Sequence, residues 1–422
     1  MQALLLKFGL GKNAILFIRR AFFFLWLGQV VSLLGDNFYR VGLTWYVTTK
    51  FGESVGALSL GLALSLPAIL FGVIAGVIID RSDRFKLLVI TDLVRAVIVA
   101  GITLLLAYTP SSSLIAICLS ASVLVVASLL FMPSLQAYLP TLAEGDKKTI
   151  VKMDTWLLGT MNTLGVVGPA LAGVLLASTS IVFLIGLDAL SFAFSAYMLL
   201  MMKHKSGQKG ALASQALPPT VRKKFLPSVK EGLDFIFKHP VLRPQFSTFP
   251  VVESVCYVIP FILPAFLKDF ARADSRIYGL LLALWAFGRV GGMFLVSHTP
   301  LRQHRGIVFS LNFFVQGLAL FVFTIFPLQG IGLAAFVLLG LPAGAAQICM
   351  FSYIQIEVPT EIRGRAFASM STLVTWMLPL GLLVLSALAN WKGTQVTLLS
   401  ISLILLLCGS FIALHRAVRE VH

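Results

Sequence analysis

Long apolar runs separated by short polar intervals repeat along the chain from near residue 20 to near residue 415. Each approaches the roughly 20 residues that a helix needs to cross a hydrocarbon core. The pattern predicts twelve spans, at 21–48, 54–79, 86–108, 112–138, 153–177, 180–202, 243–267, 276–297, 306–326, 330–356, 366–389 and 394–415. Lipid offers the backbone no hydrogen-bond partners, so apolar runs of this length must close their bonds internally as helices. The predicted fold class is an all-α membrane protein with twelve transmembrane helices in two six-helix bundles.

Between the sixth and seventh spans lies "KHKSGQKGALASQALPPTVRKKFLP", which is polar, basic and carries Gly and Pro. It divides the chain into an N-terminal bundle (1–202), a cytoplasmic linker (203–242) and a C-terminal bundle (243–422). At the end of the linker, "SVKEGLDFIFKHP" reads as a short surface helix. Ser228 and Glu231 fit a capping box, and Val229, Leu233, Ile236 and Phe237 recur on one face. A plain lead-in turn to the seventh span is the alternative. The halves also look related. Pro140 and Pro359, each after the fourth span of a half, are 219 residues apart; Pro169 and Pro379 are 210 apart; Asp36 and Glu253 are 217 apart. Three similar offsets favour a duplicated six-helix unit.

Composition agrees: 58% of residues are hydrophobic and 12% charged, against about 25% charged in a soluble domain. The net charge of +16 raises the question of nucleic acid, but its placement answers it. With the N-terminus in the cytoplasm, and with the span-edge residues Lys86 and Arg243 counted as cytoplasmic and Arg276 as outside, 25 of the 33 Lys and Arg lie on the cytoplasmic side, 5 outside and 3 within spans. That is the positive-inside asymmetry, so the excess reports topology, with both termini cytoplasmic and no polyanion partner. Cys118, Cys256, Cys349 and Cys408 all fall in spans without metal-ligand spacing. The first apolar run is too long for a signal-peptide core and reads as an uncleaved helix.

The second span ends in "GVIAGVIIDRSDRFK", where Gly76, Asp80, Arg81, Arg84 and Lys86 form G-x-x-x-D-R-x-x-R-x-K. This resembles the signature loop of the major facilitator superfamily. It departs at Asp83, where that signature usually has glycine, so the turn is tighter or held differently. In the fifth span, "LGVVGPALAGVLLA", with Gly165, Gly168, Pro169 and Gly173, is similar to the Gly-Pro motif of superfamily antiporters; ordinary small-residue packing explains the same residues. With "LGD" in span one, "EGLDFI" after the linker and "IRGRAFA" before span eleven, the chain resembles the drug:proton antiporter branch, which includes macrolide-efflux proteins and, similar in type, the enterobactin exporter. The resemblance implies an exporter of amphipathic small molecules in the cytoplasmic membrane, driven by protons; a monomer without a cofactor is the expectation set beside it. It also implies that Gly76, Asp80 and Arg84 belong to a cytoplasmic gate, to which Arg81 and, one to two turns inside span three, Asp92 and Arg95 are added as candidates. A static basic anchor is the alternative.

Charged residues inside spans are the other candidates, since each costs about 2.5–3.5 kcal/mol at the helix centre. Gln29, Ser32, Asp36, Arg40 and Thr44 share one stripe of span one, and Val31, Leu34, Phe38, Val41 and Trp45 share an apolar one. Asp36 and Arg40, at i and i+4, can pair. Three roles stay open: Asp36 exchanges protons, the pair contacts polar groups of a substrate, or it ties span one to a neighbour. Glu253 in "STFPVVESVCYVIPFILP" has no cation within one turn, and its stripe includes Tyr257. It reads as a proton-coupling acid, a contact for a cationic substrate, or a quiet neutral carboxyl; Arg289 in span eight is its possible partner. Asn37, Asn162, Asn312, Gln316 and Gln347 suit a polar cavity between the halves.

No phosphate loop of the G-x-x-x-x-G-K-S/T kind is present, and the six histidines lack ligand spacing, so neither an ATPase, an enzyme nor a metal protein is expected. Two other transport readings stand beside proton-driven export: a lysophospholipid or lipid-like flippase of the same superfamily, and a proton-coupled importer.

Overall fold

The computed structural model describes residues 20–108, 114–143, 146–205, 234–299, 305–327 and 330–415. Twelve long helices run through them: α1 (Arg20–Phe51), α2 (Glu53–Arg81), α3 (Arg84–Tyr108), α4 (Leu114–Leu142), α5 (Lys147–Ser178), α6 (Ile181–Lys205), α7 (Leu242–Asp269), α8 (Ser275–His298), α9 (Arg305–Ile325), α10 (Gly330–Glu357), α11 (Thr360–Lys392) and α12 (Thr394–Leu414). Eleven have the length and hydropathy to cross a membrane; in α9 the described apolar stretch is shorter, Leu311–Ile325. The all-α expectation holds.

Several helices outrun the apolar spans. α5 starts at Lys147 and α11 at Thr360, about two turns before the hydropathy does. A span ends at its first charges, whereas a helix ends where its free N–H groups find acceptors. Asp146 supplies those acceptors for α5, taking the Thr149 N–H at 3.1 Å and the Lys148 N–H at 3.3 Å. The hydrogen bonds from Thr149 hold its carboxyl below the usual carboxylate range. Asp83 does the same for α3, accepting from the Phe85 N–H at 3.0 Å and the Lys86 N–H at 3.1 Å. The signature's glycine is therefore replaced by a helix cap.

Of the expected surface helix, Ser228, Val229, Glu231 and Leu233 lie outside the described residues, and 234–238 are helical. Ile236 is buried but Phe237 is 43% exposed, so the apolar face is narrower than the sequence implied. His239 follows, its Nδ1 accepting from the N–H groups of Val241 and Leu242 at 3.3 and 3.4 Å at the start of α7.

The described residues fall into two compact units. One takes the residues up to Leu43, Leu66–Gly168 and those from Ser178 through α6; the other takes Thr44–Ser65, Pro169–Ala177 and the residues of α7–α12. In the first, Phe22 and Leu25 of α1, Leu88 of α3, Phe131, Leu135 and Leu139 of α4, Met153 of α5 and Met202 of α6 form one buried cluster. In the second, α7 is buried along most of its length despite three internal prolines, Pro250, Pro260 and Pro264. A proline forfeits one helical hydrogen bond, and burial among neighbours makes that tolerable.

Candidate functional site

The second unit encloses a cavity of about 450 Å³. α7 lines it with Gln245, Phe249 and Glu253, which recur every four residues and so share one helix face. α9 contributes Phe309, Asn312, Phe313 and Gln316; α8 contributes Arg289; α10 contributes Gln347, Met350 and Phe351. Met370, Val374 and Thr375 of α11 and Ile412 of α12 complete the wall.

Backbone packing sets the polar geometry. A Cβ on Gly288 or Gly292 of α8 would run into the carbonyl oxygens of Val337 or Leu341 on α10; one on Gly340 or Gly344 of α10 would strike those of Trp285 or Arg289 on α8. The two helices thus cross with their backbones touching, as small residues permit. This close approach brings Arg289 to Gln347: Nε and Nη2 donate to Gln347 Oε1 at 3.2 and 3.0 Å. On α9, Gln316 Nε2 donates to Asn312 Oδ1 at 2.8 Å, and Cys256 Sγ lies 3.9 Å from Gln316 Oε1.

Among the described residues the ion pairs are Arg95–Asp92 and Arg276–Asp274. Glu253, half-buried, is in neither. It feels the charge of Arg289 across the cavity, but that guanidinium is directed to Gln347. The cavity therefore gathers Glu253, Arg289, Asn312, Gln316 and Gln347 within the second unit, whereas the sequence predicts a cavity between the halves that also takes in Asn37 and Asn162. The observed cavity does not include Tyr257, whose ring packs on Phe261 at 5.4 Å between centroids. Gln245 and the aromatic and methionine lining went unpredicted. The signal for Gln245 and Phe249 was the four-residue register back from Glu253, but "RPQFST" stands at the polar edge of the span and reads as its boundary.

In the first unit, Asp36 and Arg40 do not pair, contrary to the expectation. Arg40 is exposed and Asp36 half-buried. An i, i+4 pair gives only about 0.2–0.5 kcal/mol, less than a long cationic side chain gains by keeping its head hydrated. Asp36 instead lies within electrostatic reach of Arg95 and Asp188 as well as Arg40. Gly35 permits that crowding, since a Cβ there would lie 2.8 Å from Ser191 Cβ of α6. Nor does α1 split cleanly into polar and apolar faces: Gln29, Ser32 and Thr44 are buried, and so are Phe38 and Val41. Asn37, also buried, donates to its own helix at Leu33 O, 2.7 Å away. Asn162 is exposed on α5.

Asp92 and Arg95, assigned to the gate, form a buried ion pair of their own. The guanidinium sits between the rings of Phe131 and Phe192, at 4.1 and 4.4 Å from their centroids. Arg84, eight residues before Asp92 and so about 12 Å along the helix, instead donates to Ala137 O of α4 at 2.9 Å. The two features are separate because the helix rise keeps them apart. The side chains of Asp80 and Arg81, and the surroundings of Gly76, lie outside the described residues. On α5, Gly168 faces Asn37 within the first unit, where a Cβ would come 2.7 Å from Asn37 Cγ. Gly173 faces Gly279 within the second unit, with Ser275 Oγ donating to Gly173 O at 3.2 Å. Pro169 is buried and Gly165 half-buried, the latter with open space where a Cβ would go.

Residues 15–422 match the family described as transmembrane secretion effector. Relatives include the MFS-type transporter YfiS of Bacillus subtilis, 25% identical over 93% of this chain and 92% of that protein. Macrolide efflux protein A of Streptococcus pyogenes is 22% identical over 89% and 90% of the two chains. The multidrug efflux pump Tap of Mycolicibacterium fortuitum is 24% identical over 89% and 90%. In fold, a crystal structure of the nucleoside transporter NupG superimposes with a TM-score of 0.74 at 13% identity, covering 93% of this chain and 99% of that one. With residues 15–422 matched, the chain belongs to the transmembrane secretion effector family of the major facilitator superfamily.

Proposed function

We propose that this protein exports amphipathic small molecules across the cytoplasmic membrane by proton antiport, with the cavity in the second unit as substrate site and Glu253 as the proton-exchanging carboxylate. One observation carries the reading: Glu253 stands without an ion-pair partner among the described residues, in a cavity whose other lining includes carboxamides, one guanidinium, phenylalanines and methionines. The aromatic and thioether side chains offer adaptable apolar contact, while Glu253 is the acid that can take a proton from one side and release it to the other. The efflux activities named for macrolide efflux protein A and Tap point the same way. In this reading the access to the cavity alternates between the two sides of the membrane. Both termini are cytoplasmic, the protein works as a monomer, and the proton gradient is the sole energy source. The α2–α3 turn, held by Asp83 and by the Arg84 bond to α4, serves as part of the cytoplasmic gate.

The test uses purified protein in proteoliposomes with erythromycin and an imposed pH gradient. Glu253→Gln should abolish gradient-driven movement while erythromycin binding in detergent is kept within a few-fold. Movement equal to wild type would remove Glu253 from the coupling. Collapsing the gradient in cells separates the other transport modes. An exporter then accumulates drug, an importer loses uptake, and a flippase is recognised by its transfer of labelled lysophospholipid.

A further inference from the structure

Four of the cavity's polar side chains bond to one another in pairs. Arg289 is bound to Gln347, and Gln316 to Asn312. Gln245 is 1% exposed, lines the cavity, and has no hydrogen-bond partner for either Oε1 or Nε2 among the described residues. A buried carboxamide left unbonded is destabilising and uncommon in folded proteins. Nothing about its position forces it there. Residues around it on α7, such as Leu242 and Phe246, are apolar and fully buried, so a leucine would suit the packing.

Its location is also well anchored. His239 accepts the first free N–H groups of α7, which places Gln245 in the first turn of a held helix rather than on a loose end. Phe249 and Glu253 follow on the same face, so Gln245 and Glu253 are about 12 Å apart along the helix axis. A molecule of roughly that length meets a carboxamide at one end, aromatic rings along its body and the Glu253–Arg289 region at the other.

We propose that Gln245 is a specificity-determining residue that reads an amide-like edge on the substrate, one that presents a hydrogen-bond donor and an acceptor side by side. A carboxamide offers the complementary pair in one plane, the geometry by which Gln and Asn make bidentate contacts to a donor–acceptor edge. Among amphipathic molecules, those carrying a primary amide, carbamate, lactam or imide at one end of an aromatic or aliphatic body are thereby preferred over those, such as macrolides, that lack the edge and bind through the rest of the cavity. This rests on the reading of the cavity as the substrate site. The reason such a residue discriminates is asymmetric: a molecule lacking the edge leaves the buried carboxamide unbonded and so binds more weakly.

Two probes that differ only in this edge test it: dansyl-phenylalanine amide and dansyl-phenylalanine methyl ester, titrated by dansyl fluorescence against the full-length protein in detergent. Wild type should bind the amide about tenfold more tightly than the ester, the lower part of the range for a bidentate contact. Gln245→Leu should bring the two affinities together chiefly by weakening the amide, with the ester unchanged, a shift in ratio that loss of packing alone would not produce. Equal binding of both probes to wild type overturns the proposal even if Gln245→Leu fails to fold, and leaves the cavity as a binding site. Retention of the tenfold preference in folded Gln245→Leu also overturns it. Failure of wild type to bind either probe overturns both this proposal and the cavity reading, whereas a loss confined to gradient-driven transport concerns Glu253 alone.

Discussion

At the scale of single residues, partnership rather than identity decides what each buried charge does. Arg95 is enclosed by Phe131 and Phe192 and joined to Asp92, so its charge is met by a carboxylate and by ring faces. Removing one partner leaves the other uncompensated. Asp92→Asn should therefore destabilise the protein by about 3–5 kcal/mol, whereas Asp92→Asn combined with Arg95→Met should recover most of that loss. Thermal unfolding in detergent, compared across the two singles and the double, measures it; additive losses would show that the pair is not a unit. Glu253, Arg289, Asn312, Gln316 and Gln347 were legible because a polar group inside an apolar run is costly and so stands out. Gln245 was not, because at the edge of a span a polar residue costs nothing and carries no signal. The Asp36–Arg40 pair fails for a related reason: i, i+4 spacing permits a pair without requiring one.

At the scale of elements, the α8–α10 crossing holds the polar side of the cavity together. The strings "GRVGG" and "GLPAG" are visible in the sequence, but that they face one another is not. The Gly344 backbone lies so near the Arg289 carbonyl that even one methyl group cannot enter without moving a helix. Gly344→Val should separate α8 from α10, break the Arg289–Gln347 bonds and cost at least the 1–3 kcal/mol of ordinary overpacking. The check is a lowered midpoint of thermal unfolding together with weakened erythromycin binding. Retained binding at wild-type stability would mean that the crossing adapts. The capped starts of α3 and α5 make the opposite point, since Asp83 and Asp146 act locally and their role follows from the residues beside them.

At the scale of the whole molecule, the placement of charge predicts topology. With 25 of 33 cations on one side, alkaline phosphatase fused after the sixth helix or at the C-terminus should be inactive, and green fluorescent protein at the C-terminus should fluoresce. Active phosphatase at either place would reverse the orientation. The chain alone predicted an all-helical membrane protein, and its loop motifs resembled the superfamily that the family match then showed. Those properties follow from run length, periodicity and loop motifs, each read along a line, since lipid leaves a long apolar segment no alternative to the helix. Which polar groups meet was decided only in three dimensions. Whether Arg289 answers Gln347 or Glu253, whether Arg40 answers Asp36, and whether Gln245 finds any partner depend on how closely two backbones approach and which way a helix is turned. Both are set by packing between segments distant in sequence.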